Sequence, residues 1–166
     1  MSTDGIISES QIRIEYEIEL GEWAELRSHA ADLVADPWML KMSGGEGSLR
    51  FVAAQSRVRY AGPLLDLASE LALWLRGSFD DYRYDPVAQA PALTLSVRGD
   101  ATSVAAHGSL GIETIRAPTA EIRNAIGDFL ARLADDVRRN APALLAAPAL
   151  QWISDLTDLD TGDGPI

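Results

Sequence analysis

Residue types able to do chemistry are sparse in this chain, and they do not gather. Its two histidines, His29 and His107, are the side chains best suited to proton transfer near neutral pH, yet neither lies in an HExxH zinc pattern or a nucleophile elbow. A nucleophile needs a base that is itself oriented by a third group. His29 follows Ser28 within a helical pattern and His107 closes a strand pattern before Gly108, so neither is assigned catalysis. Asp80-Asp81 and Asp135-Asp136 have the types for a general acid and base. Neighbours in sequence point to opposite faces of a strand and diverge on a helix, however, so both pairs read as solvated charge. Asp158, Asp160 and Asp163 copy half of a calcium loop, but Gly162 stands fifth and Asp163 takes the sixth place, where the sharp turn needs glycine. "SGGEGS" (43–48) lacks both the Lys-Ser/Thr of a phosphate loop and the spacing of a dinucleotide fingerprint, and reads as a flexible connection. Arg98-Gly99-Asp100 spells an adhesion tripeptide and also makes good hairpin-turn chemistry, to which it is assigned. No cysteine is present, which removes disulfides, thiolate metal sites and thiol nucleophiles. No cofactor or metal is expected, and the chain is read as a non-enzyme.

What remains is "GSFDDYRYDP" (77–86). Alternation from Phe79 puts Asp80, Tyr82 and Tyr84 on one face and Asp81, Arg83 and Asp85 on the other, with Pro86 closing the segment. One reading is an edge strand with its tyrosines packed and Asp81, Arg83 and Asp85 wet. The other is a docking surface, since tyrosine is enriched at interface centres and acids around it complement a basic partner. Asp80, Asp81, Tyr82, Arg83, Tyr84 and Asp85 are therefore the candidate protein-binding residues.

The elements that must position them follow from periodicity. "QIRIEYEIEL" (11–20) alternates throughout, with Ile12, Ile14, Tyr16, Ile18 and Leu20 on the buried face and Arg13, Glu15, Glu17 and Glu19 on the wet one, three glutamates in a row. One-sided burial suits an antiparallel sheet. "EWAELRSHAADLVADP" (22–37) has the spacing of a short helix stopped by Pro37. "SLRFVAAQSRVRYAG" (48–62) reads as a long strand or bent pair whose inward face switches at a bulge near Gln55 or Ser56. "PLLDLASELALWLRG" (63–77) carries one broad apolar stripe and a glycine cap and predicts the core helix. Residues 91–117 suggest a meander, with a type II′ turn at Gly99-Asp100. Ile122, Ile126, Phe129, Leu130, Leu133 and Val137 recur at helical spacing over 118–142. "ALLAAPALQWISDL" (143–156) reads as a short helix or turn. The expectation is one α+β domain over 1–156, with a mainly antiparallel sheet of about five to six strands on two principal helices (63–76 and 118–139). Residues 157–166 are expected to form a flexible acidic tail.

A chain of 166 residues, 47% hydrophobic, suffices for one domain with its own core. Its formal charge of −11 opposes binding to a phosphate backbone, so nucleic acid is not an expected partner. Neither a leader pattern nor a spanning run of about 20 apolar residues is present, and a cytoplasmic location away from membranes is expected. Thirteen of the 14 bases are arginine, consistent with a high-GC bacterial genome.

The strand "QIRIEYEIEL", a strand ending in "VRYAG", then "PLLDLASELALWLRG", "FDDYRYDP" and a meander resemble small acidic α+β proteins from bacterial polymorphic-toxin loci, immunity proteins among them. The resemblance covers roughly residues 10–115 and transfers no individual binding residue. It implies a cytosolic binder that blocks a cognate toxin by covering its active cleft, with a basic toxin domain as the expected partner. The alternatives are a small-ligand-binding protein or enzyme with a pocket between the sheet and helix 63–76, and a homo-oligomeric subunit joined by a strand edge.

Overall fold

The computed structural model describes residues 11–77, 81–84, 93–108 and 111–162. The alternating N-terminal segment forms β1 (Arg13–Glu17), with Ile12, Ile14 and Ile18 buried and Tyr16 partly so. Leu20 departs from the expected inward row. It is exposed because the chain has already turned into helix α1 (Leu20–Ser28), which ends the alternation. The helical pattern that follows is three helices rather than one: α1 breaks at His29, α2 covers Ala30–Ala35, and α3 covers Pro37–Ser43. Pro37 ends α2 and also opens α3, since proline lacks only an N–H that the first helical position leaves unpaired. Asp36 caps α3 by accepting the Trp38 N–H at 3.0 Å.

β2 (Glu46–Val52) and β3 (Arg57–Pro63) form a hairpin, with Phe51 opposite Val58 and Leu49 opposite Tyr60. The face switch expected as a bulge is this reversal, closed by the Ala53 N–H donating to the Ser56 carbonyl at 2.8 Å. "SGGEGS" is not a loose connection either. Gly47 lies within β2 so close to β1 that a Cβ on it would stand 2.3 Å from the Glu17 carbonyl oxygen. The order of this first sheet is β1-β2-β3.

The second antiparallel sheet is β4-β5-β6-β7, formed by Tyr82–Tyr84, Leu93–Arg98, Ala101–Gly108 and Gly111–Pro118. Gly99 has φ +63° while Asp100 does not enter positive φ, which is the signature of the expected type II′ turn. The turn also serves a helix, because the Asp100 carbonyl accepts the Thr119 N–H at 2.7 Å. The fold is thus α+β, as expected, but its strands number seven among the described residues and divide into two sheets.

The two principal helices are α4 (Leu64–Arg76) and α5 (Thr119–Asn140). Leu64, Leu65, Leu67, Ala68 and Leu71 of α4 are wholly buried, and Ile122, Ile126, Phe129, Leu133 and Val137 of α5 equally so. Burying such a side chain contributes about 1.5–3 kcal/mol relative to leaving it in water, so these two stripes organise the core. Two 3₁₀ turns, Pro142–Ala146 and Pro148–Leu150, lead into α6 (Gln151–Gly162), so the start of the expected tail is helical.

The two sheets meet where edge strand β3 packs beside edge strand β7, and the link is a side chain rather than a backbone ladder. Glu113 of β7 accepts the Arg59 N–H at 3.0 Å and pairs with the Arg59 guanidinium at 2.9 Å. Arg59 stands opposite Arg50, a like-charge pair, and Arg50 in turn reaches Glu15 on β1 at 2.7 Å. The outer face therefore carries the row Glu15, Arg50, Arg59, Glu113, in which each base has an acid beside it. No helix among the described residues is long and apolar enough to cross a membrane.

Candidate protein-binding surface

Of the six candidate residues, Asp80 and Asp85 lie outside the described residues. The tyrosines point inward, as the edge-strand reading has it. Tyr84 is 2% exposed and donates to Asp66 Oδ2 at 2.6 Å, while the partly buried Tyr82 donates to Glu70 Oε2 at 2.6 Å. The match is geometric: residues i and i+2 of a strand are about 6.6 Å apart, and residues i and i+4 of a helix rise about 6 Å. Burial, and then the hydrogen bond to Asp66, push the Tyr84 hydroxyl far above its ordinary range. Tyr60 of β3 packs edge-on against Tyr84 with ring centroids 6.0 Å apart.

Asp81 is wet but engaged. It accepts from the Val97 N–H at 3.0 Å and from Arg98 at 2.8 Å, and the bond to Arg98 holds its carboxyl below the usual range. Arg83 is exposed. The stretch thus spends Tyr82, Tyr84 and Asp81 on internal bonds, and the described part does not present them as one surface.

The other sequence candidates are likewise engaged. Asp135 pairs with Arg138 at 3.0 Å, and Asp136 with Arg139 at 2.7 Å and with the Tyr16 hydroxyl. His29 sits at the α1–α2 break with Nε2 3.4 Å from Glu25, and His107 stands opposite Ile112 in the second sheet. On the facing sides of the first sheet and α4, Leu49, Phe51, Val58, Leu64, Leu67 and Leu71 are buried in the core.

A different region concentrates unspent charge. A depression of about 550 Å³ is walled by Glu17, Glu19, Glu22, Glu25 and Glu46 and floored by Gly21, Gly47, Ser48, Ala61 and Gly62. A second, of about 420 Å³, shares Glu22, Glu25 and Glu46 and continues over Leu26, His29, Leu33 and Met39. Their origin is local. Trp23 and Leu26 anchor α1 to the core, which leaves Glu22 and Glu25 on its open side. Glu17 ends β1 and Glu46 begins β2, so strand pairing brings both to the same rim, while the Gly47–Gly62 and Ser48–Ala61 pairs leave the floor with only small side chains or none.

Neither depression is lined by a lysine or arginine among the described residues. Within the wall the Glu46 N–H donates to Glu22 Oε1 at 3.2 Å, and Glu25 faces His29 Nε2 at 3.4 Å. Five carboxylates lining one depression give it a single sign of charge, and a cleft of one sign focuses its field outward. The alternating glutamates at 15, 17 and 19 were visible in the sequence. That Arg50 reaches Glu15, 35 residues away, and that Glu46 reaches Glu22, 24 residues away, depends on strand pairing.

No family model, curated protein or solved structure matches the chain.

Proposed function

We propose that the chain is a non-enzymatic protein-binding protein of the immunity type, acting in the cytoplasm, whose glutamate-walled groove receives a basic face of a toxin domain. The observation that carries this reading is the groove itself: five carboxylates on its wall and, among the described residues, no lysine or arginine lining it, in a chain of net charge −11. Such a field raises the encounter rate with a cationic protein and penalises an acidic one. It also favours a partner over a nucleic acid, whose phosphates it repels.

The test is neutralisation. Toxin domains encoded beside the gene are produced in a sensitive host with and without this chain, and growth is recorded. Rescue by the wild type, lost in the double variant Glu22→Lys/Glu25→Lys, supports the proposal. Rescue that survives charge reversal removes the groove from the account, and no rescue by the wild type removes the immunity reading. With a purified pair, the association rate constant should fall steeply between low and physiological salt.

A further inference from the structure

The acidic groove runs into an apolar ridge on α3. Trp38, Met39 and Met42 are 54%, 38% and 45% exposed, while Leu40 between them is buried and holds the helix to the core. Met42 lies one turn on from both Trp38 (i, i+4) and Met39 (i, i+3), so it is the helix-surface neighbour of each and joins them into one ridge. Lys41 does not interrupt this face with free charge, since its ammonium lies 3.7 Å from Asp66. The ridge has a set direction, because Pro37 and the Asp36 cap fix the start of α3. Met39 belongs to both regions, for it also lines the depression walled by Glu22, Glu25 and Glu46.

We infer that ridge and groove form one docking surface for a cationic amphipathic segment of a partner protein, its apolar side chains seated on Trp38, Met39 and Met42 and its Lys or Arg side chains in the glutamate wall. This rests on the protein-binding reading above and specifies the chemistry of the contact. Charge complementarity selects the occupant. An apolar segment without bases leaves the carboxylates unanswered, and a basic segment without apolar side chains leaves the tryptophan in water. Tryptophan is the side chain most enriched where binding energy concentrates, and methionine adapts its shape to what is seated on it.

The molecule carries its own reporter. Trp23, Trp74 and Trp152 are each 4–6% exposed, so Trp38 alone of the four is open to a quencher in water. The full chain is titrated with a synthetic helical Leu/Lys peptide of amphipathic spacing, with the same residues in shuffled order, and with a Leu/Glu peptide. The amphipathic Leu/Lys peptide should shift Trp38 emission to the blue and protect it from iodide. By anisotropy of the labelled peptide, Trp38→Ala should weaken binding about tenfold or more, and Glu22→Gln/Glu25→Gln should weaken it and flatten its salt dependence. Equal binding of the shuffled peptide, binding of the Leu/Glu peptide, no binding at all, or unchanged affinity in a folded Trp38→Ala chain would overturn the inference. Trp38 is exposed, so the variant should fold, and circular dichroism checks that it does. If the peptide seats on Trp38 but toxin neutralisation fails, the immunity reading falls and the docking surface stands. If neutralisation persists at full strength in Trp38→Ala, this inference falls alone.

Discussion

Glu15 and Glu17 stand two residues apart on the same face of β1, yet they have opposite fates. Glu15 is opposite Arg50 and bonded to Arg13 and Arg50, and chiefly the Arg13 bond holds its carboxyl below the usual range. Glu17 is opposite Ser48, has no ion pair among the described residues, and borders both the groove and a neighbouring depression that Arg132 and Arg139 line. One strand thus supplies a neutralised row to the outer face of the sheets and an unneutralised wall to the groove. What lies across the strand decides what a carboxylate does, and a fold that balances charge in one place leaves it unbalanced in another where a partner can supply the balance.

The comparison is broken most strongly at the floor of the groove. Gly47→Ala places a Cβ against the Glu17 carbonyl, and since backbone cannot yield as a side chain tip does, a loss of about 3 kcal/mol is expected by denaturant unfolding. Next comes Tyr84→Phe, which removes the donor from Asp66, a side chain only 12% exposed, and leaves it with Lys41 at 3.7 Å. A loss of about 2 kcal/mol is expected, because a buried carboxylate loses a charge-assisted bond. A cost of a few tenths would mean that this carboxylate behaves like those of the groove.

The tyrosines sharpen the contrast through pH. Tyr16, Tyr60 and Tyr84 have hydroxyls raised above the ordinary value of 10.0, in each case first by burial. A group raised in the folded state contributes stability that is complete below the unfolded value and is lost as pH rises beyond it. Absorbance at 295 nm should therefore show these three ionising together with loss of circular dichroism above pH 10, and ionisation in the native state would contradict their packing. The outer row works in the opposite direction. Glu15 and Glu113 are lowered by their arginine partners, so their contribution is present above the unfolded value of 4.5 and is lost as pH falls through the depressed ones. These groups are exposed, so the loss is small and should shrink further in high salt.

The smallest expected effect has the opposite sign. Glu17→Gln and Glu25→Gln relieve repulsion in the groove, and each should stabilise the free protein by about 0.3 kcal/mol while weakening the peptide binding described above. Glu15→Gln, two residues from Glu17, should not stabilise. Melting temperatures of the three variants at low salt make the comparison directly.

How much could be read in advance varied by element. The stripes of α4 and α5 were legible because an apolar face that wide needs no information from elsewhere in the chain. The Gly99-Asp100 turn was legible because its backbone demands glycine. Pro37 was read as a stop when it also starts a helix, since one proline is compatible with both. Periodicity left 48–62 as a long strand or a bent pair and placed a bulge where the chain reverses, because a face switch looks the same whether the strand kinks or turns back. The inward direction of Tyr82 and Tyr84 followed from alternation, but their partners Asp66 and Glu70 on α4 did not.

By itself the sequence determined the α+β class, the two helices that organise the core, and an excess of acid that some surface must carry, all of which follow from periodicity and composition. Only the tertiary structure decided where that acid goes. Strand pairing set Glu15 against arginine and Glu17 against serine, and chain reversal brought Glu46 to Glu22, because electrostatic balance is a property of neighbours in space and those neighbours are remote in the chain.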